Sequence, residues 1–322
     1  MAVDSHSVKL ACAAALPLVV YLLHRSRRRA SRVSVVPPAG ERVLVVGASS
    51  GVGKEIALKY AARGARVMLT GRRVAELDAA ADECRALSTA VKVRAERMDA
   101  TVAEDVLRVR DVLLADWAGC DTVIIAAGVS ALQPLLAVAG VEHNTRTNVF
   151  EPAQVTLDGL QRAQHIAERA VAGNYIGILL SLVALIPVLS QTSRRPAVLL
   201  VSSLAAVIPA PTRTLYASTK AASLLLFQAL AIEHPQVKFT TCMPSTIEGN
   251  FRASAVDSGP VRETLEKALK KDTVARACIH GVDAEKPSVW LPRTHWLGPI
   301  IRSILPNMID SMARRKYNFV GA

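Results

Sequence analysis

"VLVVGASSGVGKEIA", Val43 to Ala57, joins an apolar run to a helix-like run through a turn that holds Gly47, Gly51 and Gly53. The unbroken Val/Leu residues before the turn read as a strand buried on both faces, and "GKEIALKYAARG" after it has the apolar spacing of a helix. Small residues in G-x-x-x-G-x-G order let the backbone approach a pyrophosphate, whose charge the N-terminus of the following helix stabilises. Gly47, Ser49, Ser50, Gly51, Val52 and Gly53 are therefore the candidate cradle for a dinucleotide.

The alternation continues outward from this unit. "ARVMLTG" reads as a strand, "RVAELDAAADECRALS" as a helix, "AVKVRAERMDA" as a strand, "AEDVLRVRDVLLADW" as a helix and "DTVIIAAG" as the fourth strand. Strands of continuous Val, Ile and Leu separated by helices imply an α/β fold with a doubly wound parallel sheet, Rossmann-like, in a single domain. The connection from Val129 to Gly173 is too long for a plain loop, and "QVTLDGLQRAQHIAERAVAG" makes most of it helical. "NYIGILLSLVALIPVLSQ", Asn174 to Gln191, is apolar enough for a membrane span by composition. The buried strand "PAVLLVSS" follows at once and Pro187 lies within it, so the expectation is a core or subunit-interface helix.

Composition narrows the class. The chain has 322 residues, 51% of them hydrophobic, enough for a sizeable core. Five scattered cysteines without C-x-x-C spacing point to a reducing compartment, and no histidine or cysteine set has metal-ligand spacing, so no metal is expected. The net charge of +12 is not interleaved with aromatics, so no nucleic-acid partner is expected. Part of the charge is local, with five arginines between Arg25 and Arg32 directly after "LACAAALPLVVYLL", Leu10 to Leu23. That run is short against the ~20 residues of a spanning helix. Charge placed after the apolar run rather than before it favours a retained anchor, with its basic flank in the cytosol, over a cleaved signal or transit peptide or an interfacial helix.

The second strand ends "LTGRR", Leu69 to Arg73, with Gly71 where an NAD-binding chain would place an acid and Arg72 beyond it, which favours a 2′-phosphate and so NADP(H). The alternative is that Arg72 and Arg73 are solvated residues opening the next helix. Asp99 ends the third strand as a candidate adenine neighbour or an ordinary turn aspartate. "AVLLVSSLAAVIPAPTRTLYASTK" then carries Ser203, Tyr216 thirteen residues later, and Lys220 one helical turn beyond, on the same face.

Taken together, the glycine turn, Ser203 and the Y-x-x-x-K pair resemble the short-chain dehydrogenase/reductase family over roughly Arg42 to Phe251. The resemblance implies that Tyr216 is the acid/base, that Lys220 tunes it and holds the nicotinamide ribose, that Ser203 binds the substrate oxygen, and that Asn174 in "GNYIG" positions a proton-relaying water. On the residues alone, Asn174 could instead cap a helix. The family pattern also places Ala126, Ala127 and Gly128 after the fourth strand, and Pro244, Thr246 and Ile247 after the sixth, at the cofactor. Three positions depart from it: Val46 replaces a usual Thr, Ala126 a usual Asn, and Ser245 a usual Gly.

The expected organisation is a membrane anchor with basic flank at 1–32, a Pro/Gly linker at 33–41, a catalytic domain at 42–285 with a helical insertion at about 129–173, and a segment at 286–322 that either caps the substrate cleft or lies in a membrane interface. Trp290, Trp296 and Phe319 among basic and aliphatic residues carry that last choice. With the anchor, the chain resembles the membrane-bound branch of the family. The resemblance implies an NADP(H)-dependent oxidoreductase acting on a hydrophobic, lipid-like carbonyl of 3-ketosphinganine, steroid, retinoid or acyl-dihydroxyacetone phosphate type. Its setting would be the endoplasmic reticulum membrane with the catalytic domain cytosolic, as a homodimer. The alternative is a non-catalytic, membrane-tethered nucleotide-binding scaffold.

Overall fold

A computed structural model describes residues 31–87, 92–144, 147, 149–253, 255–261, 266 and 268–319. The expected anchor at Leu10–Leu23 lies outside the described residues. Seven parallel strands form one sheet: β1 (Arg42–Val46), β2 (Arg66–Gly71), β3 (Val93–Arg97), β4 (Thr122–Ile125), β5 (Ala197–Val201), β6 (Lys238–Pro244) and β7 (Ser288–Leu291). Their order is β3-β2-β1-β4-β5-β6-β7, so the sheet winds outward in both directions from β1 and β4, the doubly wound arrangement read from the alternation.

Helices α1 (Gly51–Ala62), α2 (Val74–Ala86) and α7 (Lys271–Asp283) cover one face, where Ile56, Leu77 and Val274 pack on Val43, Val45 and Leu199. The other face is covered by α3 (Ala103–Trp117), α5 (Gly177–Thr192) and α6 (Thr214–Glu233), with Val106, Leu113, Ile178, Leu185 and Phe227 on Leu44, Met68 and Ile125. Both faces of β1 are thereby dry, which is why its sequence is an unbroken apolar run.

The 129–173 connection is less helical than expected. Its helix α4 (Leu157–Val171) is present, capped by the Thr156 hydroxyl, which accepts from the Gly159 N–H at 3.1 Å. Before it come a single helical turn, Leu135–Val138, and a two-stranded antiparallel hairpin pairing Glu142–Asn144 with Val149–Glu151. No alternation in "EHNTRTNVFE" announces that hairpin. Helix α4 runs through a π-helical turn, Ala172–Ile176, into α5, so the expected separate helix is the second half of one 36-residue rod, Leu157–Thr192. This rod and α6 are long and apolar enough to cross a membrane by composition, yet the inner faces of α5 and α6 lie on the sheet.

The junction between the expected basic flank, ending at Arg32, and the expected linker at 33–41 packs against the domain. Arg32, in a helical turn at Arg32–Val35, is fully buried. It donates to Glu41 Oε1 at 2.9 Å, Thr122 Oγ1 at 2.5 Å and the Arg195 carbonyl at 3.2 Å. Glu41 is equally buried and also pairs with Arg63. The segment leading into β1 is thus held to the base of the sheet, because a buried arginine needs a carboxylate and carbonyls at fixed positions. Four described cysteines, Cys84, Cys120, Cys242 and Cys278, are buried and free.

Candidate active site

The glycine turn has the geometry its composition demands. Gly47 and Gly51 have φ of +89° and +63°, where a side chain would be strained. A β-carbon on Gly53 would come within 2.1 Å of the Gly47 carbonyl oxygen, and one on Gly47 within 2.5 Å of the Ala127 nitrogen. Only glycine lets β1, α1 and the end of β4 meet here. The turn opens onto a continuous cleft of about 1090 Å³, with Ser49, Ser50 and Val52 in its wall beside the start of α1. The backbone N–H groups at that helix start form the anion-binding end of the cleft, so the cradle fits a dinucleotide pyrophosphate.

Arg72 also lines the cleft but is largely exposed, 4.0 Å from Asp99. Asp99 itself closes a turn by accepting from the Thr101 N–H at 3.0 Å and hydroxyl at 2.8 Å. The neighbouring Arg73 donates to Ser49 Oγ at 2.8 Å and Ser50 Oγ at 2.6 Å, which draws its guanidinium over the glycine turn. Nothing in the sequence separates Arg73 from Arg72; the difference arises from how β2 and the turn converge.

At the other end of the cleft lie Ser202, Ser203, Tyr216 and Lys220, with Pro244, Thr246 and Ile247 at the tip of β6. Ser203 starts a short helical turn, its Oγ accepting from the Ala205 N–H at 3.2 Å. The buried Ser202 hydroxyl has no partner among the described residues. Tyr216 and Lys220 sit on the inward face of α6, 6% and 4% exposed. Burial pushes the Lys220 ammonium below the usual lysine range, while Tyr216 acts to raise it and Arg213 to lower it.

Asn174 lies behind the cleft wall, fully buried, in the π-helical turn, and so caps no helix end. Its Oδ1 accepts from the Val129 N–H at 2.8 Å, and its Nδ2 donates to the Val129 carbonyl and to Thr219 Oγ1, both at 3.0 Å. A β-carbon on Gly128 would fall 2.9 Å from Asn174 Oδ1 and 3.2 Å from Lys220 Nζ. Asn174, Gly128 and Lys220 therefore form one cluster, tied to α6 by Thr219, a residue no motif singled out.

Two of the three departures, Val46 and Ala126, are absorbed as packing. Val46 is buried with Met68 and Ile125, and Ala126 packs beside the Gly53 position while its N–H donates to the Val46 carbonyl at 2.8 Å. Neither leaves a polar group stranded.

The family model for short chain dehydrogenases matches residues 41–258. The chain belongs to the short-chain dehydrogenase family. Among curated relatives, this dehydrogenase is 28% identical over 289 residues to 11-beta-hydroxysteroid dehydrogenase-like 4A of Arabidopsis thaliana, covering 86% of this chain and 84% of the relative. It is 26% identical to 11-beta-hydroxysteroid dehydrogenase A of Sesamum indicum, covering 80% and 71%. Among solved structures, a Sphingobium yanoikuyae short-chain dehydrogenase in complex with NADPH aligns with a TM-score of 0.61 at 24% identity, covering 84% of this chain and 95% of that one. A Burkholderia phymatum member of the family in complex with NAD aligns at 0.67 and 16%, with the same coverage. These likenesses show the dehydrogenase's fold.

The C-terminal segment forms α8 (Leu297–Ile304) and α9 (Pro306–Lys316), and Leu297, Ile301, Ile309 and Met312 line the cleft. Its outer side keeps Trp296, Ile300, Ile304 and Leu305 exposed.

Proposed function

We propose that this oxidoreductase transfers hydride between NADP(H) and a carbonyl or hydroxyl of a hydrophobic, lipid-like molecule at the membrane. The observation that carries the reading is the convergence of Tyr216, Lys220 and Ser203 on the cleft that begins at the glycine turn. When bound, the nicotinamide supplies the hydride. Ser203 donates a hydrogen bond to the substrate oxygen and places it. Tyr216 gives up its phenolic proton to that oxygen as negative charge develops, and the Lys220 ammonium stabilises the phenolate left behind. Asn174, gripping Val129 and Thr219, holds the cleft wall and α6 in register.

NADP(H) is favoured by two arginines, Arg72 and Arg73, just beyond β2, where Gly71 stands in place of an acid. Arg73 is the better placed, since its two serine acceptors keep it over the turn. A hydrophobic substrate is favoured by the apolar lining that α8 and α9 contribute, and by the hydroxysteroid dehydrogenase relatives. The exposed Trp296, Ile300, Ile304 and Leu305, beside Arg293, Arg302, Arg314 and Arg315, suit a membrane interface from which such a substrate would enter. Exposed Val183 on α5 and Leu225 and Ile232 on α6 suit burial against a second copy, giving a homodimer. The anchor would hold the domain on the cytosolic side of the endoplasmic reticulum.

The test is turnover of NADPH and NADH by detergent-solubilised full-length chain over a panel of steroid, sphingoid and acyl-chain ketones. Preference for NADPH with at least one of these ketones is expected. Nucleotide binding without turnover of any of them would favour a scaffold.

A further inference from the structure

Arg213 lies three residues before Tyr216, is 5% exposed, and lines the same cleft. Its guanidinium carbon sits 4.1 Å from the centre of the Tyr216 ring. Phe251 approaches the same ring edge-on, with centroids 6.1 Å apart and planes at 65°. Arg213 stands just before the first residue of α6 with φ −122° and ψ 32°. Its position is fixed from outside the helix, for Nη2 donates to Ser130 Oγ at 2.9 Å, and Ser130 is itself 1% exposed. Three consecutive residues after β4 thus serve three parts of the site: Gly128 faces Lys220, Val129 is gripped by Asn174, and Ser130 holds Arg213.

We propose that Arg213 is a positioning residue for Tyr216, its guanidinium holding the phenol ring in orientation and stabilising the phenolate left when the proton is transferred. The inference rests on the reading of Tyr216 as the acid/base. In reduction, the Tyr216 O–H bond breaks and an O–H bond forms on the substrate; in oxidation the phenolate takes that proton back. The charge left on Tyr216 spreads into its ring, so a cation over the ring face attracts the phenolate more strongly than the phenol. Arginine keeps its charge in a buried site, where a lysine readily loses its own. Burial already works against the Lys220 ammonium, which makes a second, permanent cation consequential. Besides Tyr216 and Lys220, the other charged or titratable groups in the cleft wall are Arg72, Arg73, Asp99, Glu248, Arg252, Lys271, His295, Lys316 and Tyr317.

The experiment measures kcat/KM against pH for oxidation of the secondary alcohol that the full-length chain uses best, where activity rises as Tyr216 ionises. Arg213→Met is expected to move the midpoint up by about one unit, losing about tenfold in rate at neutral pH and recovering it at alkaline pH. Arg213→Lys should return the midpoint only in part, since a buried lysine readily loses its charge. An equal loss at every pH, with the midpoint unmoved, overturns the proposal and leaves Arg213 a packing residue. Should Arg213→Met fail to fold, Ser130→Ala loosens the guanidinium without removing it: a smaller upward shift supports the proposal, and an unmoved midpoint overturns it. If no alcohol is oxidised, the acid/base reading itself is in question. The phenolate of Tyr216 can still be titrated by ultraviolet difference absorbance of the NADP-bound chain against Tyr216→Phe. An upward shift there in Arg213→Met supports the electrostatic role, and an unchanged midpoint overturns it.

Discussion

At the scale of single residues, the site depends on small atoms in crowded places. Gly53→Ala would set a β-carbon 2.1 Å from the Gly47 carbonyl, so we expect stability to fall by about 1–3 kcal/mol and NADPH affinity to be largely lost, read by thermal melts and fluorescence titration. Arg73→Ala removes a cation held by Ser49 and Ser50. It should raise Kd for NADPH roughly tenfold to a hundredfold while leaving NADH little changed; equal loss for both would contradict a 2′-phosphate role. Lys220 gives a pH prediction. Its folded value lies below 10.5, so the buried ammonium costs stability at lower pH, and the cost is relieved as pH rises toward 10.5. Lys220→Met should therefore melt no lower than wild type at neutral pH, with the difference narrowing toward pH 10.5, while turnover falls by about 10²–10⁴-fold. The motif residues were legible because their chemistry dictates type and spacing together. Arg73, Thr219 and Arg213 were not, since each acts through a partner distant in sequence: the glycine turn, Asn174 and Ser130.

At the scale of elements, periodicity was informative wherever a segment buries a continuous stripe. The buried β1, the outward polar face of α3 and the apolar α5 all follow their patterns. It failed for the hairpin at Glu142–Glu151, whose strands are exposed and carry no alternation. It also missed the π-helical turn that joins α4 to α5, because the extra residue in that turn answers to packing. There, Gly173 lies against Val129, where a β-carbon would approach its side chain to 3.0 Å. The cap helices yield an expectation of their own. Ile300 and Ile304 face outward while Ile301 lines the cleft. Replacing Ile300 and Ile304 together by Glu should raise KM for ketones presented in phospholipid vesicles and leave KM for short, water-soluble ketones unchanged; an equal effect on both would place these residues in the cleft's integrity instead.

At the scale of the whole molecule, the order β3-β2-β1-β4-β5-β6-β7 brings the glycine turn, the end of β4, the serine loop and the start of α6 to one edge of the sheet. At the opposite edge Arg32, Glu41 and Arg63 tie the incoming segment to the base. The composition alone presented Arg32 as the last of a solvated basic flank; only the fold reveals its buried carboxylate. Glu41→Gln leaves that guanidinium only the more distant Asp283, at 4.0 Å, as counter-charge and should cost about 3 kcal/mol, seen in denaturant melts, with no change in cofactor preference. The central claim is that Tyr216 delivers the proton that accompanies hydride transfer from NADPH to a hydrophobic ketone. Its most direct test follows deuterium from C4-labelled NADPH into the alcohol formed by the full-length chain and by Tyr216→Phe. The expected result is label on the carbinol carbon with wild type, and undiminished NADPH binding with at least roughly a thousandfold less labelled alcohol in the variant. Labelled alcohol formed by Tyr216→Phe at the wild-type rate would contradict the account.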